Sequence, residues 1–232
     1  MQSSGSNKFL PRWAGTRLLL TKGWSPYSPE TATEIQKAIY GREAQEGEDP
    51  AYFMAPLYAF LVYLPFALTA NLDFARAFWM TLLEMSLVLI TGFSIYLCRW
   101  HLARFLWAVM IVFSLVWYYG LLAVLQGDAA ILATLLICLS FFTLQADQDA
   151  LAGFLLALAT IKPTVVLVLV IFVIIWEIVQ RRWQLFWGFV GSLGIIVAAT
   201  SLLIPTWLVE NIRQVIEYFR LDPINTPGAL IA

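Results

Sequence analysis

The sequence predicts an all-α, polytopic membrane protein, with about six or seven membrane helices and amphipathic helices at the interface. Three observations carry that prediction. Of the 232 residues, 61% are hydrophobic and 12% charged, whereas soluble domains have about half and about a quarter. The apolar residues gather in long blocks, with a mean hydropathy of +0.78. Short polar stretches rich in Gly, Pro and charge separate those blocks. The net charge of −1 supplies no global field that would select nucleic acid.

Three regions follow in order. Residues 1–51 form a loop region with two short amphipathic helices, placed outside the membrane. Its start, "MQSSGSNKFLPRWAG", has no apolar stretch of the kind a signal peptide carries. Phe9, Trp13 and Leu20 fall near helical spacing with Arg12, Arg17 and Lys22 between them, the pattern of a helix lying on a membrane face. "GWSPYSPE" ends it. Ser28 is an N-cap, Pro29 takes the first helical position and Glu30 the first turn. A second helix is expected over 29–40, stopping at Gly41, with "GREAQEGEDP" a solvated loop.

Residues 52–204 form the membrane domain, with apolar blocks at 52–70, 75–97, 105–125, 129–144, 151–161, 164–178 and 185–203. About 20 residues cross the hydrocarbon core. The second, third and seventh blocks reach that length, and the fourth is short. The first contains Pro56 and Pro65 and is expected to cross incompletely; a full crossing would instead place the N-terminal segment in the cytoplasm or the basic loops outside. Residues 151–179 as one helix would run ~43 Å, too long for an untilted span. Pro163 removes an N–H and disfavours helical geometry at Lys162, so the run is expected to break there. The break belongs near a membrane face or a protein-lined cavity, because lipid cannot satisfy open backbone groups.

Residues 205–232 hold an interfacial helix and a loop. In "TWLVENIRQVIEYFR", Leu208, Ile212, Val215, Ile216 and Phe219 share one face, and Glu210, Arg213, Gln214, Glu217 and Arg220 the other. Positive loops mark the cytoplasmic side. "CRWHLAR" and "QRRW" are the basic short loops, so Arg99, Arg104, Arg181 and Arg182 are placed inside. Asp128 and Lys162 then lie outside, provided that Pro163 separates two crossings. Cys98 and Cys138 fall in different blocks at different depths, which disfavours a disulfide.

The string "RW.G..L...G.SPYSPE", a proline-containing apolar block, "LQGD" opening a helix and "AGFLLALATIKPTVVLVLVIF…RRW" together resemble one family. They are similar to the GT-C-fold polyprenyl-phosphate-sugar-dependent glycosyltransferases, in the branch called glycosyltransferase family 87 or DUF2029. The resemblance covers most of the chain, and 151–183 is its most specific part. It implies a sugar, mannose-like, carried on a polyprenyl phosphate, and a glycan, lipid or protein acceptor outside a bacterial-type plasma membrane. It implies inversion at the anomeric centre, a general-base carboxylate in the first external loop, and cationic partners for the lipid phosphate. Relatives commonly carry that acid just before "F..RW", where this chain has Lys8. They are also commonly longer, so the resemblance implies a fragment or a diverged form, lacking a first helix and a C-terminal membrane half.

Each candidate residue has two readings. Lys162 contacts the donor phosphate as a compact point charge, or it snorkels from a helix end. Asp128 orients acceptor or lysine in the same pocket, or it complements the dipole of the helix it opens. Gln126 is a candidate hydrogen-bond partner for a sugar hydroxyl. Arg12 is a second candidate phosphate ligand. Trp13 and Tyr27 stack on sugar or prenyl chain, or anchor at the interface. Glu84 is expected to meet a polar partner on a neighbouring helix, Glu177 to pair with Arg181 at i,i+4, and His101 to be a surface residue. No set of His, Cys, Asp and Glu has metal-ligand spacing, and no cofactor is implied. Two other classes compete, a small multi-helix transporter with Lys162 and Asp128 on its path, and a non-catalytic membrane scaffold. The sequence shows no internal repeat of the kind transporters often carry.

Overall fold

The structure is a computed structural model that describes residues 7–45 and 48–221. The readings made for the first six residues, for 46–47 and for the loop 222–232 lie outside them, as do those for the side chains of Phe219 and Arg220. The described residues are helical throughout, with no strand among them: α1 (Phe9–Lys22), α2 (Pro29–Tyr40), α3 (Phe60–Ala67), α4 (Leu72–Leu97), α5 (Arg104–Val116), α6 (Tyr118–Gln126), α7 (Ala130–Gln145), α8 (Asp149–Ala159), α9 (Pro163–Gln180), α10 (Trp183–Leu203) and α11 (Trp207–Leu221), with a 3-10 turn at Leu57–Ala59. Two compact units divide the chain. One runs up to Arg76 and resumes at Thr200, and the other is Ala77–Ala199.

Local signals set the first unit's helices. Asn7 Oδ1 accepts from the backbone N–H groups of Phe9 and Leu10 and so caps α1. The α1 face that is buried carries Phe9, Leu10, Pro11, Gly15 and Thr16. It is not the Phe9–Trp13–Leu20 stripe, for Leu20 is 44% exposed. Gly15 is there because the Phe53 ring presses on it: a Cβ would lie 2.6 Å from Phe53 Cδ2. α2 begins and ends where its sequence says. Ser28 Oγ accepts from the Thr31 N–H, Pro29 opens the helix, and Gly41 closes it at φ 74°. Ser28→Ala is expected to cost about 1 kcal/mol, read as a lower melting temperature in detergent with α2 amides exchanging faster.

The 52–70 block gives only the short apolar helix Leu57–Ala67. That is ~16 Å of helix, about half a hydrocarbon core. α11 turns Glu210, Asn211 and Gln214 inward and leaves Arg213 and Glu217 exposed. Asn211 Nδ2 donates to the Ala55 carbonyl, Gln214 Oε1 accepts from the Met54 N–H, and Glu210 Oε2 accepts from Ser25 Oγ. Leu208, Ile212 and Ile216 are each about half exposed, the orientation of a helix that offers its apolar face to lipid.

In the second unit, α7 and α8 form an antiparallel hairpin, and α8 meets α10 backbone to backbone. A Cβ on Gly153 would stand 2.4 Å from the Leu185 carbonyl oxygen, and one on Gly188 would stand 2.6 Å from that of Ala150. Small residues at such crossings let membrane helices approach this closely. The run 151–179 does break before Pro163, between α8 and α9.

Three expectations are corrected. Residues 105–125 are not one straight helix: Trp117 adopts an extended conformation (ψ 130°), and α5 and α6 meet at 50°. Glu84 is exposed on α4 rather than packed against a polar neighbour. Glu177 does not pair with Arg181. α9 ends at Gln180 and Arg181 takes a left-handed φ of 57°, so the i,i+4 spacing no longer brings the two together. Glu177 is instead buried, with neither carboxylate oxygen hydrogen-bonded among the described residues.

By length and composition, Leu72–Leu97 and Trp183–Leu203 can each cross a membrane, and the bent pair Arg104–Val116 and Tyr118–Gln126 makes a third if it is one span. Ala130–Gln145, Asp149–Ala159 and Pro163–Glu177 are apolar but shorter.

Candidate functional site

Two helix junctions build the site. α6 ends at Gln126, and Gly127 at φ 67° reverses the chain. The N–H groups of Gly127 and Asp128 close the end on the Val124 and Ala123 carbonyls, at 2.9 Å each. That reversal leaves Asp128 at the head of α7, where its Oδ1 accepts from the Ala130 N–H at 2.9 Å. At the other junction the N–H groups of Thr160, Ile161 and Lys162 donate to carbonyls three residues back, a 3-10 tightening of the last turn. Pro163 then starts α9, where its missing N–H costs nothing.

These two turns bring Lys162 and Asp128 together. Lys162 Nζ donates to Asp128 Oδ1 at 2.5 Å, with the side chains 17% and 10% exposed. One oxygen of Asp128 therefore serves both the N-terminus of α7 and the Lys162 ammonium. Trp79, fully buried on α4, donates its indole N–H to the Gly127 carbonyl at 3.1 Å and fixes the turn that presents Asp128. Gln126 is half-buried in the same turn.

The opposite end of the unit carries the basic loops. Arg182 holds Asp149 at 3.0 Å and Asp147 at 3.6 Å, and its guanidinium lies over the Trp176 ring. A cavity joins Arg99 and His101 to Gln145. Chain segments therefore alternate between a basic end and an Asp128–Lys162 end. The 16 residues of α7 separate the two by only ~24 Å, less than the ~30 Å of a hydrocarbon core. At a site this little exposed an unpaired charge is costly, and the pairing compensates the Lys162 ammonium within its apolar run.

No family model, curated protein or solved structure matches this chain. Arg12, Trp13 and Tyr27 belong to the first unit and are engaged with its backbone. Arg12 donates to the Lys8 carbonyl at 2.7 Å, Trp13 Nε1 to the Phe66 carbonyl at 2.9 Å, and Tyr27 Oη to the Ala55 carbonyl at 2.5 Å. Burial, with Glu210 nearby, pushes the Tyr27 phenol well above its ordinary range, so it stays a neutral donor. Lys8 lies immediately before α1 and offers no carboxylate. Glu30, the next acid along the chain, is held below its ordinary pKa by its own backbone N–H and the Ser28 hydroxyl. That is a helix-capping role and the wrong direction for a general base working near neutral pH. Among the described residues no group of His, Cys, Asp and Glu could hold a metal ion.

Sequence reasoning passed over Trp79 and the Arg182–Asp149 clamp. Trp79 is one tryptophan among ten, and only its partner 48 residues away distinguishes it. The clamp had a signal in the acid at the head of α8 and the arginine at the head of α10.

Proposed function

We propose that this chain is a GT-C-like membrane glycosyltransferase of the family 87 type. It takes a sugar from a polyprenyl phosphate and transfers it to a glycan or lipid acceptor on the outer side of a bacterial-type plasma membrane. The observation that carries the reading is the Asp128–Lys162 pair, set at two helix junctions on the end of its unit away from the basic loops. In this reading α4, the bent α5–α6, α7, α8, α9 and α10 are six passages, three of them short. Asp128 fixes the direction of the ammonium, and the ammonium meets the donor phosphate. The acceptor oxygen attacks the anomeric carbon, the bond to the phosphate oxygen breaks, and the lipid phosphate leaves as an anion that Lys162 stabilises. The acceptor proton passes to a base that none of the described residues identifies.

The test uses the chain in detergent with polyprenyl-phosphate mannose, reading donor binding and release of lipid phosphate. Lys162→Ala is expected to weaken donor binding by about tenfold or more, the loss of one charge-assisted contact. Lys162→Arg, which keeps the charge and the pairing, retains binding and controls for folding. If no polyprenyl-phosphate sugar binds or reacts, or Lys162→Ala binds donor as the parent chain does, the enzyme reading fails. A transporter or scaffold then takes its place.

A further inference from the structure

We infer that the second unit holds a phospholipid with an anionic headgroup in the cavity between α4, α5 and α7, its acyl chains inside and its phosphate at Arg99 and His101. The cavity has a volume of about 940 Å³, at the upper end of the ~300–1,000 Å³ typical of ligand sites. Its walls are aliphatic and aromatic. Phe93 and Tyr96 of α4 stand against Phe142 of α7, with ring centroids 5.1 and 5.4 Å apart, and Trp107 and Ile111 of α5 line the cavity with them.

Polarity is confined to one end, where Arg99, His101 and Gln145 line the cavity and no acidic side chain does, among the described residues. A long apolar chamber with a cationic rim matches a molecule with apolar tails and an anionic head. It does not match a small polar metabolite, which would need polar groups along the walls. The rim also lies on the side that the arginine-rich loops assign to the cytoplasm, where anionic lipids concentrate.

Two backbone features fit a site built for an occupant. Arg99 closes α4 in a left-handed conformation, φ 53°, with its N–H on the Tyr96 carbonyl at 2.9 Å and that of Trp100 on the Ile95 carbonyl at 3.1 Å. Glycine usually fills that position. Here an arginine takes it and carries its charge to the rim. Gly92, two turns before Arg99 in the wall of the cavity, has nothing within 4 Å of where its Cβ would be, although glycine lowers helix stability at such a place. The missing side chain keeps the chamber open. The inference does not depend on the glycosyltransferase reading, since it concerns the opposite end of the unit.

Native mass spectrometry of the full chain, released from micelles containing equal phosphatidylglycerol and phosphatidylcholine, tests it. The parent chain is expected to retain phosphatidylglycerol in preference to phosphatidylcholine. Gly92→Phe, which fills the chamber, is expected to lose both while its melting temperature is kept. Arg99→Gly, which suits the left-handed backbone, is expected to keep lipid but lower the preference about fivefold, the share of one arginine near an anionic surface. Glycerol phosphate, a headgroup without tails, is expected not to be retained. Equal retention of the two lipids, unchanged retention in Gly92→Phe, or retention of glycerol phosphate as strong as that of phosphatidylglycerol overturns the inference.

Discussion

Gly153→Leu is expected to be the most damaging single substitution in the second unit, costing about 4 kcal/mol or more. The cause is backbone meeting backbone. A Cβ at 153 would sit 2.4 Å from the Leu185 carbonyl oxygen, 2.5 Å from the Phe189 nitrogen and 2.9 Å from the Gly188 carbonyl carbon. None of these atoms can swing aside as a side-chain tip could. α8 and α10 must separate, losing contact along the whole crossing, and that exceeds the ~1–3 kcal/mol of ordinary overpacking. Even Gly153→Ala introduces the clash. Gly191→Ala and Gly194→Ala, on the same helix α10 but with nothing within 4 Å of the added carbon, are expected to be neutral or slightly stabilising, because alanine is the better helix former. Thermal unfolding in detergent, followed by loss of the monodisperse chromatographic peak, separates the two classes. If Gly153→Leu melts with Gly191→Ala, the close crossing of α8 and α10 is wrong.

Breaking the Asp128–Lys162 pair from one side is expected to cost about 3 kcal/mol or more, because it leaves a buried charge uncompensated. Lys162→Met does this directly. Adding Asp128→Asn is expected to recover most of the loss. The amide oxygen still accepts from the Ala130 N–H, so the cap of α7 survives while the orphaned charge goes. The double variant is therefore more stable than Lys162→Met alone, and a double-mutant cycle gives a coupling of about 2 kcal/mol. Additive effects would mean that the two groups do not interact in the folded protein. The cycle reports on the pair whether or not a donor binds there. Donor binding lost in a double variant that melts like the parent chain would separate function from folding.

Legibility followed the range of the forces. α2 could be read to the residue because Ser28, Pro29 and Gly41 act within one turn of themselves. The break before Lys162 and Pro163 was equally local. The kink at Trp117 was not: Gly120, three residues on, is its one nearby sign, and there a Cβ would stand 3.1 Å from the Ser114 carbonyl oxygen across the bend. The inward turn of Glu210, Asn211 and Gln214 on α11 depends on partners at Ser25, Met54 and Ala55, some 150 or more residues away, so amphipathicity predicted the helix but not which face the protein would keep. For the candidate site, the sequence singled out Lys162 and Asp128 separately. Their contact joins positions 34 apart, which no helical spacing connects. Arg12, Trp13 and Tyr27 stood out for their chemistry, and the backbone carbonyls to which each donates could not be read from their spacing.

If α7 is one of the passages of the proposed reading, a bilayer that wets it over its ~24 Å is several ångströms thinner than average. Lipids beside this unit would be compressed along their chains, at a cost that falls as the chains shorten. The protein would then gather short-chain lipid around itself and settle in the thinner of two coexisting bilayers.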